Sequence, residues 1–145
     1  IHQNLPADLI IWANRNKLIH VLVNLIQNAI DALGEKKFAE GEQATIWIEG
    51  QVAGNRGLIV VRDNGMGIAT KTLDKIFDPF FTTKDVGKGM GLGLSICYRI
   101  VQGYGGEISV RSERGQFCEF TLNFPVKDTS TEETQMIHHG EPLRL

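Results

Sequence analysis

Glycine occupies every second position between residues 87 and 93 of this chain, in the run Gly87-Lys88-Gly89-Met90-Gly91-Leu92-Gly93-Leu94. Because glycine has no Cβ, such a backbone can approach a ligand closely and adopt positive φ. Residues 94–101 follow with helical spacing, and a helix that begins after such a loop offers unpaired N–H groups and the positive end of its dipole. The run therefore predicts an anion site, most commonly for phosphate. A flexible loop that only caps the helix is the weaker alternative, because so many glycines lose much backbone entropy on folding.

Two common phosphate-binding motifs do not fit this run. The dinucleotide fingerprint G-x-G-x-x-G is matched in no register of residues 87–93. A P-loop needs G-x-x-x-x-G-K-[ST], whereas Gly87-Lys88 is followed by Gly89 and preceded five residues earlier by Thr82. The sequence therefore predicts another class of nucleotide-binding site.

Composition narrows the function classes. The 145 residues suit one domain, and 42% hydrophobic with 22% charged residues is ordinary for a globular chain with a core. A net charge of −2 gives no indication of nucleic-acid binding. Cys97 and Cys118 lack metal-ligand spacing and are interpreted as core residues. No apolar run has the length of a membrane span, so we expect a cytoplasmic setting. The start Ile1-His2-Gln3-Asn4 indicates a fragment cut from a longer protein, and we expect this fragment to be monomeric.

A helix is predicted from about Arg15 to Leu33. Its buried stripe is formed by Leu18, Leu22, Leu25, Ala29 and Leu33. A separate polar face carries Lys17, Asn24, Asn28 and Asp31. Most such faces are simply solvated. Asparagine, however, is a mediocre helix former, and lysine or glutamate would suit a solvated helix face better. Asn24 and Asn28, one turn apart, therefore indicate ligation, and an amide oxygen is a suitable ligand for Mg²⁺.

A predicted hairpin is formed by a strand over residues 45–52, a turn at 54–57 and a returning strand over 58–62. The returning strand is followed directly by the run Asp63-Asn64-Gly65-Met66-Gly67-Ile68. An aspartate at a strand end, with glycines two and four residues later, can direct its carboxylate into a pocket while the backbone turns sharply. An ordinary Asp-Asn-Gly turn is the alternative.

The segment Phe77-Asp78-Pro79-Phe80-Phe81-Thr82-Thr83-Lys84 holds three of the seven phenylalanines. It is too short for a core of its own, so docking on the domain or on a partner and ordinary loop packing are equally supported.

The other predicted elements are a strand at 9–13, one or two helical turns at 70–76, a helix from about 91 to 104, and strands at 107–112 and 116–124. Residues 126–145 are polar and are interpreted as a linker or disordered tail. Alternatively, residues 141–145 begin the first strand of a following domain.

In this order, the segments resemble the catalytic ATP-binding domain of two-component sensor histidine kinases, in the superfamily that includes gyrase, Hsp90 and MutL. The matching segments are the N box at 24–32, a first glycine box at 63–67, an F box at 77–84 and a second glycine box at 87–94. The resemblance implies an α/β fold, an α+β two-layer sandwich with a mixed, mostly antiparallel sheet of about five strands and helices packed on one face. This is the Bergerat-type ATP-binding fold, and it is expected to occupy residues 1–125.

The resemblance also implies roles for individual residues. Asn28 is the expected Mg²⁺ ligand, Asn24 its phosphate-side neighbour, and Asp63 the acceptor for the adenine amine. Lys84 or Lys88 is expected to neutralise the γ-phosphate, and these two lysines with Asn24 and Asn28 form the expected catalytic group. Phe77 and Phe80 are expected to contact the histidine-bearing helices. The implied nucleotide-binding set is Asn28, Asp31, Asp63, Gly65, Gly67, Ile68, Phe77, Thr83, Lys84, Gly87, Lys88, Gly89, Met90, Gly91, Leu92, Gly93 and Leu94.

The implied function is transfer of the ATP γ-phosphate to a histidine on an adjoining dimerisation domain. A response regulator is expected to act downstream, and the parent protein can be anchored in the inner membrane. Superfamily ATPases carry glutamate where this chain has Asn24, and asparagine cannot accept a proton from water. The chain's four histidines, His2, His20, His138 and His139, lack the acceptor context of sensor kinases. A gyrase- or Hsp90-like ATPase switch and a degenerate nucleotide-binding module are the alternatives.

Overall fold

The computed structural model describes residues 1–84, 91–126 and 141–145. Within these ranges the elements are β1 (His2–Asn4), β2 (Ile10–Ala13), α1 (Arg15–Glu35), β3 (Ile46–Ala53), β4 (Arg56–Asp63), α2 (Thr70–Leu73), α3 (Gly93–Gly103), β5 (Glu107–Glu113), β6 (Phe117–Pro125) and β7 (Glu141–Arg144). None of the helices in these ranges combines the length and apolarity needed to cross a membrane.

The main sheet has five strands in the order β1-β3-β4-β6-β5. β1 pairs with β3 in parallel, and the other pairs are antiparallel. The register aligns Val61 with Phe120, and both side chains are buried on the face that packs against the helices. The predicted mixed, mostly antiparallel sheet is thereby confirmed.

Helix α1 begins after Asn14, whose side-chain oxygen accepts a hydrogen bond from the Lys17 N–H at 3.2 Å. Its buried stripe is Leu18, Val21, Leu25 and Ala29. Leu22 and Leu33, which were predicted in this stripe, are only partly buried. Helix α1 packs on α3 and on β4, and α3 packs on β5, so both long helices share one layer over the sheet.

A second, two-stranded sheet pairs β2 with β7 antiparallel, with Ile11 opposite Leu143. Both of these side chains are buried. The prediction of a polar linker or disordered tail over residues 126–145 is therefore wrong for Glu141–Arg144, which form a strand paired with β2, and residues 127–140 of the predicted tail lie outside the described part of the chain. One buried leucine in four residues, paired with a strand far away along the chain, leaves no local periodicity to detect.

The remaining boundaries differ by a few residues. β1 was not predicted, because its three residues are polar and fully exposed and have no alternation. Helix α3 begins at Gly93 rather than Gly91, since Gly91 has φ +68 and cannot belong to a right-handed helix.

Candidate functional site

A cavity of ≈ 380 Å³ opens between α1, the end of β4, the segment before Lys84 and the start of α3. Its volume lies within the range of small-molecule and cofactor sites. The structure brings together at its wall these predicted site residues: Asn24, Asn28, Asp31, Asp63, Gly67, Ile68, Thr83, Lys84, Gly91, Leu92, Gly93 and Leu94. Three segments that are far apart in the sequence thus form one site.

Two predicted residues do not line the cavity. Gly65 lies behind the wall, where a Cβ would lie 2.6 Å from the carbonyl carbon of Ala32, so only glycine allows this packing. The centroid of the Phe77 ring lies 5.6 Å from that of Tyr98 and 6.4 Å from that of Phe120. Phe77 therefore packs behind Phe120, which lines the cavity. Another four predicted residues lie outside the described part of the chain: Gly87, Lys88, Gly89 and Met90.

Asp63 is the last residue of β4 and is 4% exposed. Its Oδ1 accepts a hydrogen bond from the Gly65 N–H at 2.8 Å. Burial raises the pKa of this carboxyl to about 6, although the bond from Gly65 and the charges of Arg62 and Lys36 lower it. A carboxylate enclosed in this way gains from a ligand N–H donor that replaces lost hydration.

The turn after Asp63 is fixed on two sides. The Met66 N–H donates to the Ala32 carbonyl at 3.0 Å, near the end of α1. The Ile68 N–H donates to Ser112 Oγ at 2.8 Å, on β5. Between them Gly67 has φ +65, and a Cβ there would overlap the Glu113 carbonyl. The first glycine box is thus clamped between α1 and β5.

Asn24 faces the beginning of α3. Its amide nitrogen donates to the His20 carbonyl at 3.1 Å, one turn earlier. Its Oδ1 is so close to Gly93 that a Cβ on this glycine would lie 2.9 Å away. Asn28 follows one turn later on the cavity wall and is partly exposed. The two predicted asparagines therefore share one face of α1.

Helix α3 begins at the cavity without a side-chain cap. Leu92 is the N-cap residue, and no side-chain hydrogen bond from it satisfies the first N–H groups. Residues 91–94 all line the cavity. Uncapped N–H groups at the positive end of a helix dipole favour an anionic ligand.

Lys84 forms an ion pair with Asp31 across the cavity mouth. The bond from Lys84 lowers the pKa of Asp31, whose Oδ1 also accepts from Gln27 Nε2 at 2.9 Å. About a third of each side chain of the ion pair is exposed. The pair can therefore exchange with a ligand charge at little desolvation cost.

Sequence reasoning missed part of the wall, namely Gln27, Ala32, Glu35, Ile76, Phe81, Thr82, Cys118 and Phe120. Cys118 is the direct cross-strand neighbour of Asp63, and burial raises the pKa of its thiol to about 12. Its position depends on the β4–β6 register, for which the local sequence carries no signal. Phe81 belongs to the predicted F box, so for this residue a signal was present.

The model of the family described as "Histidine kinase-, DNA gyrase B-, and HSP90-like ATPase" matches residues 13–128. The sensor histidine kinase ZraS of Salmonella typhi is 42% identical over 117 residues, which are 80% of this chain and 23% of ZraS. The sensory histidine kinase/phosphatase NtrB of Rhizobium leguminosarum bv. phaseoli is 35% identical over 97% of this chain and 38% of NtrB. The chain thus spans well under half the length of these relatives.

Solved structures show the same similarity. The nucleotide-free catalytic domain of histidine kinase ThkA superposes with a TM-score of 0.69 at 33% identity, covering 86% of this chain and 80% of that one. Full-length ShkA in complex with AMPPNP gives a TM-score of 0.69 at 28% identity, covering 86% of this chain and 25% of that one.

Proposed function

Since this chain belongs to the family of histidine kinase-, DNA gyrase B- and HSP90-like ATPases, we propose that it is the catalytic ATP-binding domain of a sensor histidine kinase. The domain transfers the γ-phosphate of ATP to a histidine on a separate dimerisation domain, and a response regulator acts downstream. The observation that carries this proposal is the convergence of the N box, the first glycine box, the F box and the start of α3 on one cavity.

Asp63 recognises the base. Its buried carboxylate accepts the exocyclic amine of adenine, a donor that guanine lacks at that position. The clamped turn at Gly67 keeps the backbone close to the base, and the apolar side chains of Ile68, Ile76 and Phe81 enclose the ring. AMPPNP in the similar ShkA structure supports an adenine nucleotide as the ligand.

The donor set fits a divalent cation that enters with the nucleotide. Among the described residues no group of three or more His, Cys, Asp or Glu side chains could hold a metal ion alone. Mg²⁺ retains several waters and takes other ligands from phosphates, so a single amide oxygen from Asn28 suffices. When bound, Mg²⁺ offsets phosphate charge.

The phosphates are bound at the start of α3 and beside Lys84. The uncapped N–H groups at Gly93 and Leu94 donate to phosphate oxygens. Lys84 leaves Asp31 to pair with the terminal phosphate, since the two charges are partly exposed and exchange easily.

Transfer to a side chain is favoured over hydrolysis, because the cavity wall lacks a base at Asn24. An asparagine amide cannot take a proton from water, and unactivated water is a poor nucleophile. The nucleophile is a histidine brought in line by docking of another domain, where proximity provides much of the rate.

Phe80 is the proposed docking contact for the histidine-bearing helices. This residue is 72% exposed and its backbone has φ 66, a conformation unusual for a bulky residue. Phe77, the other phenylalanine implied by the resemblance, contributes by supporting this segment through Tyr98 and Phe120.

The test uses γ-labelled ATP with this chain alone and with a separately produced histidine domain from the parent. We expect little hydrolysis and no label on the chain alone, and acid-labile label on the added domain in the mixture. Phe80→Ala should remove most of that label without changing ATP affinity. Ile19→Ala, another exposed apolar residue (50% exposed) on a different element, is the matched control.

Label accumulating on the chain alone would contradict an acceptor on another domain. Steady ATP turnover by the isolated chain would instead favour the gyrase- or Hsp90-like ATPase switch, and failure to bind Mg·ATP by calorimetry would favour a degenerate module.

A further inference from the structure

Lys36 directly follows α1 and is nearly buried, with 12% of its side chain exposed. Its ammonium donates to the main-chain carbonyl of Asn64 at 3.0 Å and to Glu42 Oε1 at 2.9 Å. It also lies 4.9 Å from the centroid of the Phe38 ring. A buried ammonium loses hydration and needs specific partners. One of these partners is the carbonyl of the residue directly after Asp63.

Asn64 connects the turn after Asp63 to the loop between α1 and β3. Its side-chain oxygen accepts from the Thr45 N–H at 2.8 Å, and its amide nitrogen donates to the Gln43 carbonyl at 2.8 Å. Its main-chain N–H donates to the Thr45 carbonyl at 3.3 Å. With Lys36 on its own carbonyl, Asn64 is held through side chain and backbone together.

We propose that Lys36 is a positioning residue for base recognition: it holds the Asn64 carbonyl by a hydrogen bond and stabilises the charged Asp63 carboxylate by its positive charge. This inference rests on the proposed function, because Asp63 is there the acceptor for adenine. Lys36 does not line the cavity, so it acts through Asp63 rather than on the ligand.

Several charged or titratable groups act on Asp63 or line the same cavity. They are Arg62 on β4, Cys118 on β6, Asp31 and Glu35 on α1, Lys84 at the cavity mouth, and Lys36. The charge of Arg62 lowers the pKa of Asp63 more than that of Lys36 does, and each of these cations is paired with a glutamate, Arg62 with Glu119 at 3.2 Å and Lys36 with Glu42 at 2.9 Å. Lys36, unlike Arg62, combines its charge with a bond to the turn that carries Asp63.

The experiment measures the pKa of Asp63 in the nucleotide-free chain by carboxyl ¹³C NMR titration, and ADP affinity by calorimetry between pH 5.5 and 8, roughly the range around the pKa of about 6. The variants are Lys36→Met, Lys36→Arg and Glu42→Gln. Glu42→Gln removes the counter-ion of Lys36 and leaves the positive charge of Lys36 in place. Lys36→Arg keeps at position 36 both a positive charge and a hydrogen-bond donor for the Asn64 carbonyl.

Lys36→Met should raise the pKa of Asp63 by roughly half a unit to one unit and move the pH at which ADP affinity falls upward by the same amount. Lys36→Arg should restore most of both, and Glu42→Gln should leave the pKa unchanged or lower it. If Lys36 only supported the fold, Lys36→Met would lower the melting temperature without moving the Asp63 titration, and the proposal would be overturned.

A further variant, Lys36→Gln, keeps the proposal testable if Lys36→Met does not fold, because it removes the charge but keeps a polar side chain at this nearly buried position: a rise in the pKa of Asp63 would support the proposal and an unmoved titration would contradict it. A shifted Asp63 titration without nucleotide binding would leave the Lys36–Asp63 coupling standing and refute the proposed function. Normal ADP binding with an unmoved titration would do the reverse.

Discussion

The carboxylate of Asp63 is held in a place that does not favour its charge, and this predicts how its replacement behaves. Asp63→Asn keeps the shape and an oxygen for the Gly65 N–H, but it loses the charged acceptor for the adenine amine. We expect ATP affinity to fall by about 1.5–3 kcal/mol, roughly 10- to 150-fold, in titration calorimetry at pH 8. Unchanged affinity would remove Asp63 from the base site.

The same substitution has a defined effect on stability against pH. The pKa of Asp63 in the folded chain, about 6, lies above the ordinary aspartate pKa of 3.8, so the stability linked to its protonated form is complete below pH 3.8 and is lost as the pH rises through 6. Wild type should therefore lose up to about 3 kcal/mol relative to Asp63→Asn between these limits. Denaturant unfolding of both proteins at pH 3.5 and 8 measures the difference.

Helix α1 separates stability from ligand binding by its two faces. Leu25 is 1% exposed in the core, whereas Asn28 lies on the cavity wall. Leu25→Ala should lower the free energy of unfolding by about 2–5 kcal/mol with ATP affinity largely kept. Asn28→Ala should leave the melting temperature nearly unchanged and abolish the Mg²⁺-dependent part of ATP affinity. An Asn28→Ala protein that unfolds readily but binds Mg·ATP normally would contradict this assignment.

The elements with strong periodicity were predictable, and those specified by distant pairing were not. The apolar run of β4, the alternation of β5 and β6, and the glycines that end α3 are local signals, so these elements were predicted to within about two residues of their bounds. β1 and β7 are short and depend on partners far along the chain. The cavity residues divide in the same way: those in the N box and the glycine boxes were predictable because each box is a contiguous motif. Cys118 lies beside Asp63 only because β4 pairs with β6. Lys36 lies near Asp63 because its ammonium, just after α1, donates a hydrogen bond to the carbonyl of Asn64.

At the scale of the whole molecule, β7 extends the core beyond the main sheet. Leu143 is 4% exposed against Ile11, while Leu145 is 36% exposed, so the two leucines form a matched pair. Leu143→Ala should lower the free energy of unfolding by about 2–5 kcal/mol, and Leu145→Ala by much less. Neither should change ATP affinity, because neither lines the cavity. Equal stability of the two variants in chemical denaturation would show that β7 contributes no core.

The outer strand β5 of the main sheet affects whether copies of this domain can pair their sheets edge to edge at high concentration. At one border of the main sheet, β5 alternates exposed Glu107, Ser109, Arg111 and Glu113 with buried Ile108 and partly buried Val110 and Ser112. A second chain that added a strand to β5 would have to bring its own backbone alongside these fixed charges, which disfavours open-ended stacking of sheets. The exposed charged side chains of β5 therefore make this strand a poor template for the strands of further chains.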